Sequence, residues 1–175
     1  MRLFYYLFIT FILISCSNNV ELIFDEDNGG LFLPTGFQSL VVHEGVGQSR
    51  NIAVNENGDI YVKLRLDYGR KGNVALRDKN GDGKADIIQR FGDYPNDGRF
   101  ATEMKINEGY LYYSSERVVY RQKLSSKKLI PDSPVEVILT DPFPIRWHNA
   151  KSIAFDKENN MYVTFSGFTN SCEDM

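Results

Sequence analysis

The sequence contains only two cysteines, two histidines and one tryptophan in 175 residues. Cys16 and Cys172 are too few and too far apart for the paired-cysteine spacing of a structural zinc site or for a framework of several disulfides. His43 and His148 lie too far apart for the paired-histidine helix of a zinc hydrolase. There is no G-x-S-x-G elbow and no phosphate-cradling loop ending in Gly-Lys-Ser/Thr. Cys172 and His148, 24 residues apart, lack the flanking pattern of a thiol protease. Charge is nearly balanced, with 20 basic and 23 acidic residues and a net charge of −3, which gives no sign of nucleic-acid binding. No apolar run reaches the ~18–20 residues a bilayer-spanning helix requires, and long helix-forming stretches are few.

The longest apolar run, residues 3–14, would rise ~18 Å as a helix against a bilayer core of ~30 Å. With Arg2 before it, this is the length of a secretory signal. Leu13-Ile14-Ser15-Cys16 resembles a bacterial lipobox, in which the cysteine is acylated after cleavage. The expectation is a signal peptide over residues 1–15, lipidation at Cys16 and a polar, acidic tether over 16–30. The acyl chains would hold the protein on a membrane of the bacterial cell envelope. Cys172 then has no partner in this chain, and in an oxidising compartment it is either free or paired elsewhere.

What the sequence has in quantity is aromatic residues and glycine: ten Tyr, twelve Phe and fourteen Gly. These favour strands and tight turns. Three segments repeat one grammar of alternating strand, polar turn and second alternating strand. They are 50–62 around Asn-Glu-Asn-Gly, 102–113 around Asn-Glu-Gly, and 151–163 around Asp-Lys-Glu-Asn-Asn. Alternation at period two with such turns marks hairpins. Tyr61, Tyr112 and Tyr162 recur after 51 and then 50 residues, a period that belongs to propeller blades. Further strand candidates at 73–77, 86–91, 117–124 and 134–140 bring the count to four per period. The predicted fold is all-β, a partial β-propeller over residues 31–175 with about three of six four-stranded blades. The chain is expected to be the N-terminal portion of a longer protein. A β-sandwich with coincidental repeats is the alternative.

Several stretches carry a family resemblance. They are Leu33-Pro34-Thr35-Gly36-Phe37, which is expected to lead into a strand, Glu44-Gly45-Val46-Gly47, Arg50-Asn51-Ile52-Ala53-Val54, Val74 to Asp86, and His148-Asn149-Ala150-Lys151-Ser152-Ile153-Ala154-Phe155-Asp156. In this order they are similar to the pyrroloquinoline quinone (PQQ) dependent L-sorbosone, pyranose and soluble glucose dehydrogenases. The resemblance implies a six-bladed propeller with PQQ on its axis and His148 as the general base. His148 would take the proton of a sugar hydroxyl as hydride passes to the quinone. An imidazole with a reference pKa of ~6.5 suits that task. Read without the resemblance, His148 is equally a surface-loop residue beside Trp147. His43 is expected to be structural or solvated at the end of a strand.

Aligning the repeats at Ile52, Met104 and Ile153 makes Arg50, Thr102 and Lys151 equivalent. Arg50 and Lys151 are the candidate contacts for a tricarboxylate cofactor, or else solvated strand ends. Residues 78–86 resemble an EF-hand-like calcium loop, with Asp78, Asn80, Asp82, the Lys84 carbonyl and Asp86 as ligands and Gly83 at the bend. The twelfth position is Gln89, which lacks the closing carboxylate, so calcium stands beside a plain aspartate- and glycine-rich turn.

The reading is a membrane-anchored, PQQ-dependent dehydrogenase of an aldose or related sugar or aldehyde, passing electrons to an acceptor in the envelope. The alternative is a non-catalytic propeller lipoprotein that binds a glycan or protein partner. A propeller lactonase ranks last, because Glu103 alone among inner-strand residues suits its calcium site.

Overall fold

The computed structural model describes residues 22–68, 71–93, 103–142, 150–165 and 167. Ten strands fill most of this range: β1 (Ser49–Val54), β2 (Ile60–Tyr68), β3 (Lys71–Arg77), β4 (Ile87–Asp93), β5 (Met104–Asn107), β6 (Tyr110–Ser114), β7 (Val118–Lys123), β8 (Glu136–Thr140), β9 (Ile153–Phe155) and β10 (Met161–Val163). The one helical element among the described residues is a three-residue 3-10 turn at Asn28–Gly30.

The strands form two four-stranded antiparallel meanders, β1-β2-β3-β4 and β5-β6-β7-β8, followed by the hairpin β9-β10. The first strands of these sheets, β1, β5 and β9, contact one another in succession, as they must when sheets fan out from a common axis. This is a partial β-propeller: two complete blades and the inner hairpin of a third. Every strand predicted from alternation is present, within a few residues at each end.

Local chemistry explains the inner hairpins. In the first, the Gly58 amide donates to the Asn55 carbonyl at 2.9 Å and Gly58 sits at φ +88°. That left-handed position suits a residue without Cβ. In the third hairpin Asn159 takes the equivalent place at φ +65° and donates to the Asp156 carbonyl, the other residue type that tolerates this region.

Strand alternation then assigns the faces. Tyr61, Ala53, Ala75 and Phe91 of the first blade pack against Met104, Leu111, Tyr113, Val118 and Tyr120 of the second. Tyr112 and Val119, on the other face of the second blade, pack against Ile153, Phe155, Met161 and Val163 of the third. Tyr61 and Tyr112 thus each point to the following blade. Tyr61 and Tyr112 are 1% and 7% exposed, whereas Tyr162, with no following blade among the described residues, is 59% exposed. The repeated aliphatic residue of the inner strand always points backward. Met104 and Ile153 are 0% and 2% exposed, but Ile52 is 60% exposed. The backward face of the first blade is covered only farther out, where Val42 and Val46 pack on Val62, Leu64, Val74 and Leu76.

That cover comes from the N-terminal segment. The strand expected after Phe37 does not form. Residues 31–48 run irregularly until β1 begins, because their backbone bonds to the body are isolated ones, such as Ala85 N–H to the Val42 carbonyl at 2.9 Å. Residues 22–30, read from sequence as tether, include Asp25, whose carboxylate accepts the Val41 amide at 2.6 Å.

Candidate functional site

Four antiparallel strands return the chain to the end from which it started. The starts of β1, β5 and β9 and the ends of β4 and β8 therefore share one end of the blades, which we term the crossover end. The buried polar side chains gather there. Of Asp59, Lys63, Asn73, Glu103, Ser114, Ser115, Gln122, Asp141 and Lys151, all but Asp59 and Gln122 lie at or near that end. Strand interiors seldom hold such groups unless each has a partner.

Arg50 lies near the start of β1, on the innermost strand, and is exposed. Arg65, whose amide donates to the Gln48 carbonyl at 2.8 Å, is exposed on the adjoining strand. Lys151, two residues before β9, is wholly buried. Its Nζ lies 2.9 Å from the Asp141 carboxylate, itself 2% exposed, and 5.0 Å from the centre of the Phe165 ring. Arg50 and Lys151 thus hold corresponding places in the repeat with opposite environments, one facing solvent and one committed to an internal carboxylate. Thr102, His148 and Cys16 lie outside the described residues.

Sequence reasoning passed over Asp141. Its only local signal is an aspartate just past a strand, ahead of proline. It also passed over Lys63 and Asn73, which face each other across β2 and β3. Lys63 donates to the Gly72 carbonyl at 3.3 Å and stands 5.9 Å from the centre of the Tyr113 ring. Among the described residues, the fully buried Asn73 amide has no hydrogen-bond partner at either its oxygen or its nitrogen.

The calcium-like loop connects β3 to β4 at the opposite end. Its carboxylates are turned onto its own amides. Asp78 accepts from Asn80, Gly81 and Gly83 at 3.1, 2.7 and 2.7 Å. Asp82 accepts from Lys84 at 2.8 Å, and Asp86 from Lys79 at 2.7 Å. Desolvation raises the pKa of the Asp78 carboxyl, but the surrounding amides, Gly83 first, outweigh it and hold the group below the usual carboxylate range. No cluster of three or more metal-ligating side chains occurs among the described residues. The same loop is a packing platform: Lys84 Nζ meets Asp25 at 3.3 Å. A cleft of about 880 Å³ opens between it and the N-terminal segment, lined by Asp25, Glu26, Asp27, His43, Glu44 and Lys84 among others. No residue of β1, β5 or β9 lines this cleft, so it is remote from the axis. His43 is exposed on its wall.

No family model and no curated protein matches the sequence. Solved structures do. The holo form of the pyranose dehydrogenase PQQ domain from Coprinopsis cinerea superposes with a TM-score of 0.57 at 11% identity, over 74% of this chain and 30% of that one. The PQQ-bound aldose sugar dehydrogenase from Streptomyces coelicolor gives a TM-score of 0.48 at 16% identity, over 70% of this chain and 39% of that one. The chain therefore spans 30% and 39% of the lengths of these two structures. The fold it shares with the pyranose dehydrogenase domain is that of a β-propeller, of which the described residues form two blades and a hairpin.

Proposed function

We propose that this chain is part of a PQQ-dependent dehydrogenase that oxidises an aldose or a related sugar or aldehyde, anchored through Cys16 in a bacterial envelope. The observation that carries the reading is the crossover end. There, charged and polar side chains gather beside the innermost strands, within a fold shared with a PQQ domain. The sequence around His148, Lys151 and residues 74–86 supports it by resemblance.

The donor set suits the cofactor in part. Arg50, exposed on the innermost strand, would meet one carboxylate of PQQ with a bidentate pair. Lys151 is engaged by Asp141, so its contribution would come from behind the pocket wall, and further cations would come from other blades. PQQ, when bound, supplies the two-electron acceptor. His148 would hold the neutral imidazole that removes the hydroxyl proton of the sugar. An acceptor in the envelope would take the electrons. Calcium in the loop at 78–86 would stiffen the first blade without touching the pocket.

The alternative is a non-catalytic propeller that binds a glycan or protein. The buried Lys151–Asp141 pair favours it, because that pair removes one cation from those available to a tricarboxylate. Dye-coupled oxidation of aldoses by the whole protein, reconstituted with PQQ and calcium, separates the two readings. The dehydrogenase reading expects turnover, and a His148→Ala variant that still binds PQQ but loses ~10²-fold or more in rate. A folded whole protein that neither binds PQQ nor turns over any aldose or aldehyde would leave the binding propeller as the account.

A further inference from the structure

Residues 29–38, Gly-Gly-Leu-Phe-Leu-Pro-Thr-Gly-Phe-Gln, carry no charged side chain and form a loop pinned at its base. The Ser39 amide donates to the Asn28 side-chain oxygen at 3.1 Å, and the Ser39 hydroxyl donates to the Asn28 carbonyl at 2.6 Å. The Asp25 amide adds a tie to the Ser39 carbonyl at 3.1 Å. At the tip the Phe37 amide donates to the Pro34 carbonyl at 3.1 Å, with Gly36 at φ +92°. That is the left-handed place a type II turn gives to glycine. What the loop holds out is apolar. Phe32 stands fully in solvent, and Leu31, Phe37 and the preceding Ile23 are each more than half exposed. Single exposed apolar residues are ordinary, but several large ones on a charge-free loop mark a contact surface.

The next residues behave differently. Leu40 lies against Gly83, where a Cβ would come within 2.7 Å of its Cδ2, and Val42 and Val46 pack on the first sheet. The segment therefore divides, with residues 40–46 turned to the protein and 31–37 turned away from it. We propose that the loop at 29–38 is a membrane-contact loop, seating Leu31, Phe32 and Phe37 at the boundary between lipid headgroups and acyl chains. Aromatic rings suit that boundary, and binding there grows with the apolar area buried. Charge and reach select this occupant. Glu26, Asp27 and Glu44 are exposed around the base, which fits a zwitterionic surface and opposes an anionic one. Leu22 is six residues past Cys16, so acyl chains there would lie within ~20 Å of it. The reach rests on the proposed anchoring at Cys16, whereas the shape and chemistry of the loop do not. The base is tied to the 78–86 loop through Lys84 and Asp25 at 3.3 Å, so a seated loop holds the first blade by the end opposite the crossover end.

The test uses the whole protein begun at Ser17, without acyl chains, sedimented with sucrose-loaded phosphatidylcholine vesicles. The wild type should sediment with the vesicles, and phosphatidylglycerol added to them should weaken the binding. Phe32→Ser and Phe37→Ser should each weaken it about ten-fold, with urea midpoints unchanged because both side chains are exposed. Val137→Ser, on the outer strand of the second blade and equally open to solvent, should leave binding as it was. A folded wild type that stays in the supernatant overturns the proposal, and its oligomeric state then shows whether a second copy covers the loop. Binding that requires phosphatidylglycerol and survives both phenylalanine replacements overturns it as well, since charge elsewhere on the molecule would then be responsible. Vesicle binding that depends on Phe32, in a protein whose full-length form takes up no labelled fatty acid at Cys16, supports the loop and overturns the anchor.

Discussion

The Tyr61 hydroxyl, on the second strand of the first blade, donates to the Leu129 carbonyl of the second blade at 2.9 Å across 68 residues of sequence. Both partners are buried, so this bond joins the blades where water cannot substitute. Tyr61→Phe keeps the ring contact with Phe91 at 6.0 Å but strands the Leu129 carbonyl. The expected cost is about 1–2 kcal/mol, read as a lower urea midpoint with an unchanged slope.

The three repeated tyrosines make a graded test of the blade assignment. Tyr112 is edge-on to Phe155 at 4.8 Å in a closed interface, and Tyr112→Ala should destabilise by about 3–5 kcal/mol. Tyr162→Ala, at the open face, should cost under ~1 kcal/mol in this chain. Equal losses at the two positions would mean that the third hairpin is not the start of an equivalent blade. Equilibrium unfolding of the two variants side by side decides it.

Acid should loosen the turns first. Asp25 is held below the usual carboxylate range chiefly by the Val41 amide, Asp156 chiefly by the Asn160 side chain, and Asp78 by its loop amides against desolvation. A depressed carboxylate contributes stability that is present above its unfolded pKa of ~3.9 and is lost as pH falls through the lower folded value. Stability from these turns should hold to about pH 4 and decline below it, as followed by thermal unfolding across pH 2–6.

Alkali should act on Tyr61, whose hydroxyl is pushed up to about 12 by burial and then by the nearby Asp59 carboxylate. The unfolded tyrosine ionises near ~10, so stability is intact below that pH and is lost as pH rises towards the folded value. A titration at 295 nm should show exposed tyrosines ionising first and a late step that coincides with unfolding.

Gly83 tests the N-terminal cover. It sits at φ +91°, and a Cβ there would lie 2.7 Å from Leu40 Cδ2 and 3.0 Å from Leu22 Cδ2. Gly83→Ala should cost about 1–3 kcal/mol and release residues 22–44. Hydrogen exchange should then rise in that segment while the second blade remains protected.

The blade grammar was legible in the sequence because it is local. The alternation around Tyr61, Tyr112 and Tyr162 and the turn residues Gly58 and Asn159 belong to single hairpins, and the strands follow from them. Two things were not legible, for physical reasons. The strand expected after Phe37 lacks a ladder partner, so its apolar residues dock by side chains onto Gly83 and the first sheet. The partner of Lys151 is set by how two blades meet over Ser114 and Arg117, and no spacing encodes that. The loop at 78–86 was legible as a turn but not as a metal site, since the oxygens that would hold calcium serve equally as acceptors for the loop's own amides.

The central claim is tested most directly by titrating PQQ into the whole protein and measuring bound quinone by calorimetry. The account predicts saturable binding of about one quinone per propeller, weakened several-fold by Arg50→Ala through loss of one bidentate carboxylate contact. Absence of any saturable PQQ binding by the folded whole protein, with calcium present, would contradict it.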